Sequence, residues 1–112
     1  MAFRVLVDPA ALLEAEETFL WLRQRAPGEA ARWFHGLWVA IDSLQEMPTR
    51  CALAPESLAL RRSIRQLLFG KPPDVYRVLF VVVNDEVRVL RIRHGARKRL
   101  DQLELGRDWD PF

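Results

Sequence analysis

Val75-Tyr76-Arg77-Val78-Leu79-Phe80-Val81-Val82-Val83-Asn84-Asp85-Glu86-Val87-Arg88-Val89-Leu90-Arg91-Ile92-Arg93 decides the fold. Valine, isoleucine and aromatic side chains suit a pleated, half-buried surface, and Asn84-Asp85 punctuates the run with turn chemistry. Two antiparallel strands are therefore expected, over 75–83 and 86–93. Period-two alternation puts Tyr76, Val78, Phe80 and Val82 on one face, and Arg77, Leu79, Val81 and Val83 on the other. If Leu90 and Ile92 join the first set under a covering layer, Arg77, Arg91 and Arg93 share the opposite, uncovered face. Upstream, Ile64–Phe69 reads as a further strand closed by Gly70-Lys71-Pro72-Pro73, and Arg65 joins the same arginine face.

Before this strand-rich half the pattern changes. Phe3–Val7 is a short apolar run that reads as a strand, and Asp8-Pro9 supplies an N-cap followed by proline at the first helical position. Leu12, Ala15, Phe19 and Leu22, widened by Leu13 and Leu20, then form one helical face. Ala26-Pro27-Gly28 interrupts it. A second helix places Ala30, Phe34, Leu37, Ile41 and Leu44 at spacings of four and three, flanked by Trp33 and Trp38, and ends at Met47-Pro48. So short a break folds the two helices into an antiparallel hairpin. Residues 48–60, with two prolines, read as a loop. The expected fold is α+β in the order β-α-α-β-β-β: an N-terminal strand, a two-helix antiparallel hairpin, then a three-stranded antiparallel meander. Residues 1–112 form a single domain, with a core over about 3–100 and an acidic tail over 101–112.

At 112 residues, half of them apolar, the chain can bury a real core. One cysteine, Cys51, excludes a disulfide framework and a cysteine-rich zinc site. The longest apolar run, Val78–Val83, falls far short of the ~20 residues that span a bilayer. The N-terminus runs into Asp8-Pro9 without a signal-peptide apolar region. These features lead us to expect a cytoplasmic protein with no membrane association, metal or cofactor. The net charge of +2 hides a strong asymmetry: residues 1–60 carry −3, residues 61–99 carry +8 and residues 100–112 carry −3. A segment charged to that degree suits an RNA, DNA or acidic protein partner, or serves only as a solvated face. Arginine matches phosphate and carboxylate geometry better than lysine does.

Four segments carry a resemblance to a known family. They are Arg50-Cys51-Ala52-Leu53-Ala54-Pro55-Glu56, Ile64–Lys71, Val75-Tyr76-Arg77-Val78-Leu79-Phe80 and Val89-Leu90-Arg91-Ile92-Arg93-His94-Gly95-Ala96-Arg97. Together with the helical hairpin they resemble the RelE/ParE superfamily of toxins from bacterial type II toxin–antitoxin systems. The Tyr-Arg step and the His-Gly-x-Arg ending are specific in combination. The resemblance implies a growth-inhibiting toxin, serving plasmid stabilisation or a stress response, held inactive by a cognate antitoxin in a toxin–antitoxin hetero-oligomer. It leaves three activities open: a ribosome-dependent mRNA endoribonuclease, a DNA gyrase poison, and a non-toxic antitoxin-binding module.

RelE-like chemistry activates a 2′-hydroxyl and stabilises a crowded phosphate, and so needs arginines and a positioned acid/base. By resemblance Arg77 and Arg97 stand at the family's arginine positions and Arg65 near its basic strand position. His94 is the one acid/base candidate, with an ordinary pKa of ~6.5. The candidate catalytic set is thus Arg77, Arg97 and His94, and the candidate phosphate, RNA or partner contacts are Arg65, Arg77, Arg91, Arg93 and Arg97. The tail over 101–112 offers no tyrosine, histidine or lysine to complete a nuclease site. For a gyrase poison, its Trp109 and Phe112 are candidate interface anchors.

Overall fold

The structure is a computed structural model that describes residues 2–97. The tail and its Trp109 and Phe112 lie outside the described residues. Chain order is β1 (Arg4–Val7), α1 (Pro9–Arg25), α2 (Pro27–Asp42), two 3-10 turns (Ser43–Gln45 and Pro48–Arg50), α3 (Glu56–Leu60), β2 (Arg65–Phe69), β3 (Tyr76–Val83) and β4 (Glu86–His94). The expected α+β order holds. The strands form one sheet in the order β1-β4-β3-β2. β2, β3 and β4 make the antiparallel meander, and β1 joins β4 in parallel.

The helical hairpin turns on Ala26 alone, with Pro27 starting α2 where its missing N–H costs nothing. Asp8 occupies the N-cap of α1, but its side chain makes no cap bond and instead accepts from Arg88 at 3.2 Å. Leu37 and Ile41 of α2, with Leu44 of the 3-10 turn that follows, pack on Val78, Phe80, Val87, Val89 and Ile92. Phe19 and Phe34 join the helices with ring centroids 4.8 Å apart.

The buried face of α1 keeps Ala15 of the expected set, with Phe19 and Leu22 half-buried, but not Leu12, Leu13 and Leu20. Ala11 and Ala15 are buried, whereas Leu12, Leu13, Leu20 and Trp21 are exposed, between 41% and 57%. The cause is topological. β1 pairs β4 only as far as Val89, and α1 then runs beside the edge β1 leaves open, where small alanines allow close approach. There Glu14 Oε1 accepts from the Ile92 backbone N–H at 2.9 Å, closing one edge donor.

β4 also departs from simple alternation. Leu79 faces Arg91 while Phe80 faces Val89, so Leu90 is one extra residue, a β-bulge. Ile92 therefore lies under the helices, but Leu90 turns to the far face with Ala54, Ile64, Leu79 and Val81. That far face is not open. Residues 51–64, which include most of the stretch 48–60 expected as a loop, cover it through a bridge between Leu53 and Arg65 and through α3. Ala54 N–H donates to Ile64 O at 2.7 Å, and Gln66 N–H to Ala52 O at 3.0 Å. Ser57 Oγ accepts from Ile64 N–H at 2.9 Å. Among the described residues no helix is long and apolar enough to cross a membrane.

Candidate functional site

The far face and the C-terminal end of the sheet divide the arginines between them. Arg77 stands opposite Arg93 in the β3–β4 register, as alternation requires. Its guanidinium points under α3, however, where Nη1 donates to Glu56 Oε2 at 3.0 Å and Nη2 to Glu56 Oε1. Nε donates to Gln66 Oε1 at 3.0 Å. Glu56 is 1% exposed and Arg77 9%. This is a bidentate pair in fork geometry, removed from water and saturated with partners. Arg65 also turns to the backbone, its Nη1 donating to Cys51 O at 2.7 Å and Thr49 O at 3.3 Å.

Glu14 of α1 organises the other arginines. It accepts from Arg91 Nε at 2.9 Å and Nη2 at 2.7 Å, and Arg93 Nε lies 4.0 Å from its Oε2. Beyond it opens a cleft of about 320 Å³, bordered by Glu14, Glu17, Thr18 and Trp21 of α1, Tyr76 of β3, Ile92, Arg93 and His94 of β4, and Arg97. The fold thus brings Arg93, His94 and Arg97 together, sets Arg91 beside them, and holds Arg65 and Arg77 elsewhere.

His94 ends β4 and is engaged at both ring nitrogens. Ala96 N–H donates to Nδ1 at 3.0 Å, which leaves Nε2 carrying the proton, shared with Asp74 Oδ1 at 3.1 Å. Tyr76 stacks edge-on to it, centroids 5.2 Å apart. Burial, followed by the charge of Asp74, raises the Tyr76 phenol above its ordinary value of 10.0. The glycine of His-Gly-x-Arg has a steric cause: a Cβ on Gly95 would sit 3.0 Å from Val75 O, the carbonyl that accepts its N–H at 2.7 Å. Gly70 opens the β2–β3 turn at the same end of the sheet, at φ +105.

Chemically, the cleft offers a neutral phenol, a histidine with both nitrogens committed, and arginines balanced by Glu14 and Glu17. Carboxylates facing the same space repel a phosphodiester. Sequence reasoning missed Glu14, Glu56, Gln66 and Asp74, all of which fix the arginines or the histidine. Glu56 carried a signal: it is the one acidic residue between Met47 and Pro73, a stretch with five basic ones.

Residues 5–99 match the family described as ParE toxin of type II toxin-antitoxin system, parDE. Toxin RelE1 of Caulobacter vibrioides is 30% identical over 99 residues, covering 88% of this chain and all of that protein. A solved structure titled Chromosomal ParDE TA system from P. aeruginosa superposes with a TM-score of 0.68 at 17% identity, covering 83% of this chain and 96% of that one.

Proposed function

The chain belongs to the ParE toxin family of type II toxin–antitoxin systems, whose toxins a cognate antitoxin neutralises, and from that membership we propose that it arrests growth by docking on DNA gyrase rather than by cutting RNA. The observation that carries this reading is the state of Arg77. A nuclease needs a strand arginine free to meet a phosphate as charge develops, and here both guanidinium edges are committed to Glu56 and Gln66. His94 adds to the argument, because neither ring nitrogen is available to move a proton until Ala96 or Asp74 lets go. A docking toxin needs a complementary surface and no acid or base.

The antitoxin finds a suitable surface on α1. Leu12, Leu13, Leu20 and Trp21 stand exposed there, and apolar exposure of this kind suits a long-lived partner in a toxin–antitoxin hetero-oligomer.

One observation favours RNA cleavage instead: Tyr76, His94 and Arg97 border one cleft. Purified toxin decides between the two. With gyrase, ATP and plasmid it is expected to block supercoiling and leave protein-linked DNA breaks. With programmed ribosomes it is expected to leave the mRNA intact. Cleaved mRNA with unimpaired gyrase overturns the docking reading.

A further inference from the structure

We propose that the groove along α3, lined by Leu53, Leu58, Arg61 and Arg62, docks an acidic, leucine-bearing segment of the toxin's target protein, an inference that rests on the docking reading above. The groove has a volume of about 620 Å³ on the side of the sheet away from the helical hairpin, and none of the described residues that line it is acidic. Leu58 is 89% exposed and Leu53 53%. Two large apolar side chains held in water beside arginines make a surface whose complement is an apolar anchor flanked by carboxylates.

Charge supports that occupant. Between Met47 and Pro73 the chain carries Arg50, Arg61, Arg62, Arg65 and Lys71 against a single acid, Glu56, which is buried. Arg50 and Arg65 spend their hydrogen bonds on backbone carbonyls and a serine, so their charge still reaches solvent. A nucleic acid is the poorer match: among the described residues the lining offers leucines and no aromatic ring on which a base could stack.

Backbone geometry gives a separate indication. Arg61 closes α3 in the left-handed region at φ 55, where glycine or asparagine is the unstrained choice. An arginine kept at a position that disfavours it points to a use for its side chain. The groove is also held ready, since the Glu56–Arg77 pair and the Ser57–Ile64 bonds anchor the first turn of α3 to the sheet and to the chain that follows it before any partner arrives. Charged, shallow surfaces suit fast, transient encounter, whereas the apolar α1 surface suits the lasting antitoxin complex.

The test separates the two partners. Leu58→Glu with Arg61→Glu reverses the groove's chemistry at exposed positions, and circular dichroism should show an intact fold. Gyrase inhibition by this variant should weaken at least about tenfold, while calorimetric affinity for the cognate antitoxin changes less than about threefold. Leu20→Glu on α1 should do the reverse. Arg61→Gly should lower toxicity while the melting midpoint holds or rises, a combination that a merely structural arginine does not produce. Full gyrase inhibition by the double variant overturns the groove and leaves the docking reading standing. A parallel loss of antitoxin affinity also overturns it, by assigning the groove to the antitoxin. RNA cleavage by the wild-type toxin overturns the docking reading and the groove together.

Discussion

Arg77 and Arg93 are cross-strand neighbours, yet they turn to different carboxylates. Arg77 meets a carboxylate, Glu56, that is itself fully buried and has the fork-to-fork geometry to satisfy it. Arg93 and Arg91 converge on Glu14, a carboxylate still 14% exposed at the rim of a cleft. One pair is sealed beneath α3 and the other borders open space. The contrast shows that an arginine-rich strand is not in itself an anion site. What decides its role is which carboxylate the rest of the chain brings to it, and how much water that carboxylate keeps.

The sharpest way to break this contrast is to remove one partner from each pair. Arg77→Ala leaves Glu56 charged and buried, which should cost about 3–5 kcal/mol and leave little folded protein. A denaturant titration measures it, and a loss below about 1 kcal/mol would mean that α3 lifts away and lets water in. The compensated variant Glu56→Leu with Arg77→Met should recover most of the loss, because an apolar pair of similar volume avoids the desolvation cost. Any test of Arg77 as an active-site residue therefore needs the fold monitored alongside activity. Glu14→Ala belongs second. It removes the Arg91 bonds and unpairs the Ile92 N–H, but the Arg91 side chain keeps 18% of its surface in water and stays solvated, so about 1–3 kcal/mol is expected. Equal losses for the two sites would dissolve the distinction between a sealed pair and a rim pair.

A smaller effect separates sealed pairs from surface ones. The Arg4–Glu86 pair joins β1 to β4, but Arg4 is 68% exposed. Arg4→Ala should cost no more than about 0.5 kcal/mol, and added salt should erase even that. A loss comparable with that of Glu14→Ala would show β1 to depend on its charge rather than on the parallel ladder.

The sheet was legible because period two is a strong signal over Val75–Val83 and Glu86–Arg93, and the helical hairpin because Ala26-Pro27 marks its turn. The bulge at Leu90 was not legible. One inserted residue without a glycine leaves no local mark, and it exchanges the faces of everything beyond it. The cover over the far face was hidden for a related reason. Residues 48–60 carry prolines and no periodicity, and five residues of α3 are too few to show one. Glu14 and Glu56 looked like ordinary surface acids, since tertiary contact alone gives them buried arginines to satisfy. Tyr76 was placed correctly in the core, at 8% exposure, while Trp33 and Trp38 proved only half-buried.

That tyrosine supplies the last and mildest probe of the cleft. Burial and the charge of Asp74 both hold the Tyr76 phenol protonated in the folded chain. Below pH ~10 the phenol is neutral in both folded and unfolded states, so it adds no pH dependence there. Above that value the unfolded chain gives up the proton first, and stability should fall as pH rises towards the raised folded value. Tyr76→Phe removes that alkaline loss while keeping the ring against Trp33 and His94. Because the chain has one tyrosine, tyrosinate absorbance during an alkaline titration reports this group without ambiguity. Asp74→Asn should bring the folded value part of the way back, leaving the larger contribution of burial. An unshifted absorbance midpoint in the folded protein would mean that water reaches the phenol through the cleft, and that the C-terminal end of the sheet is as open around Tyr76 as it is around Arg97.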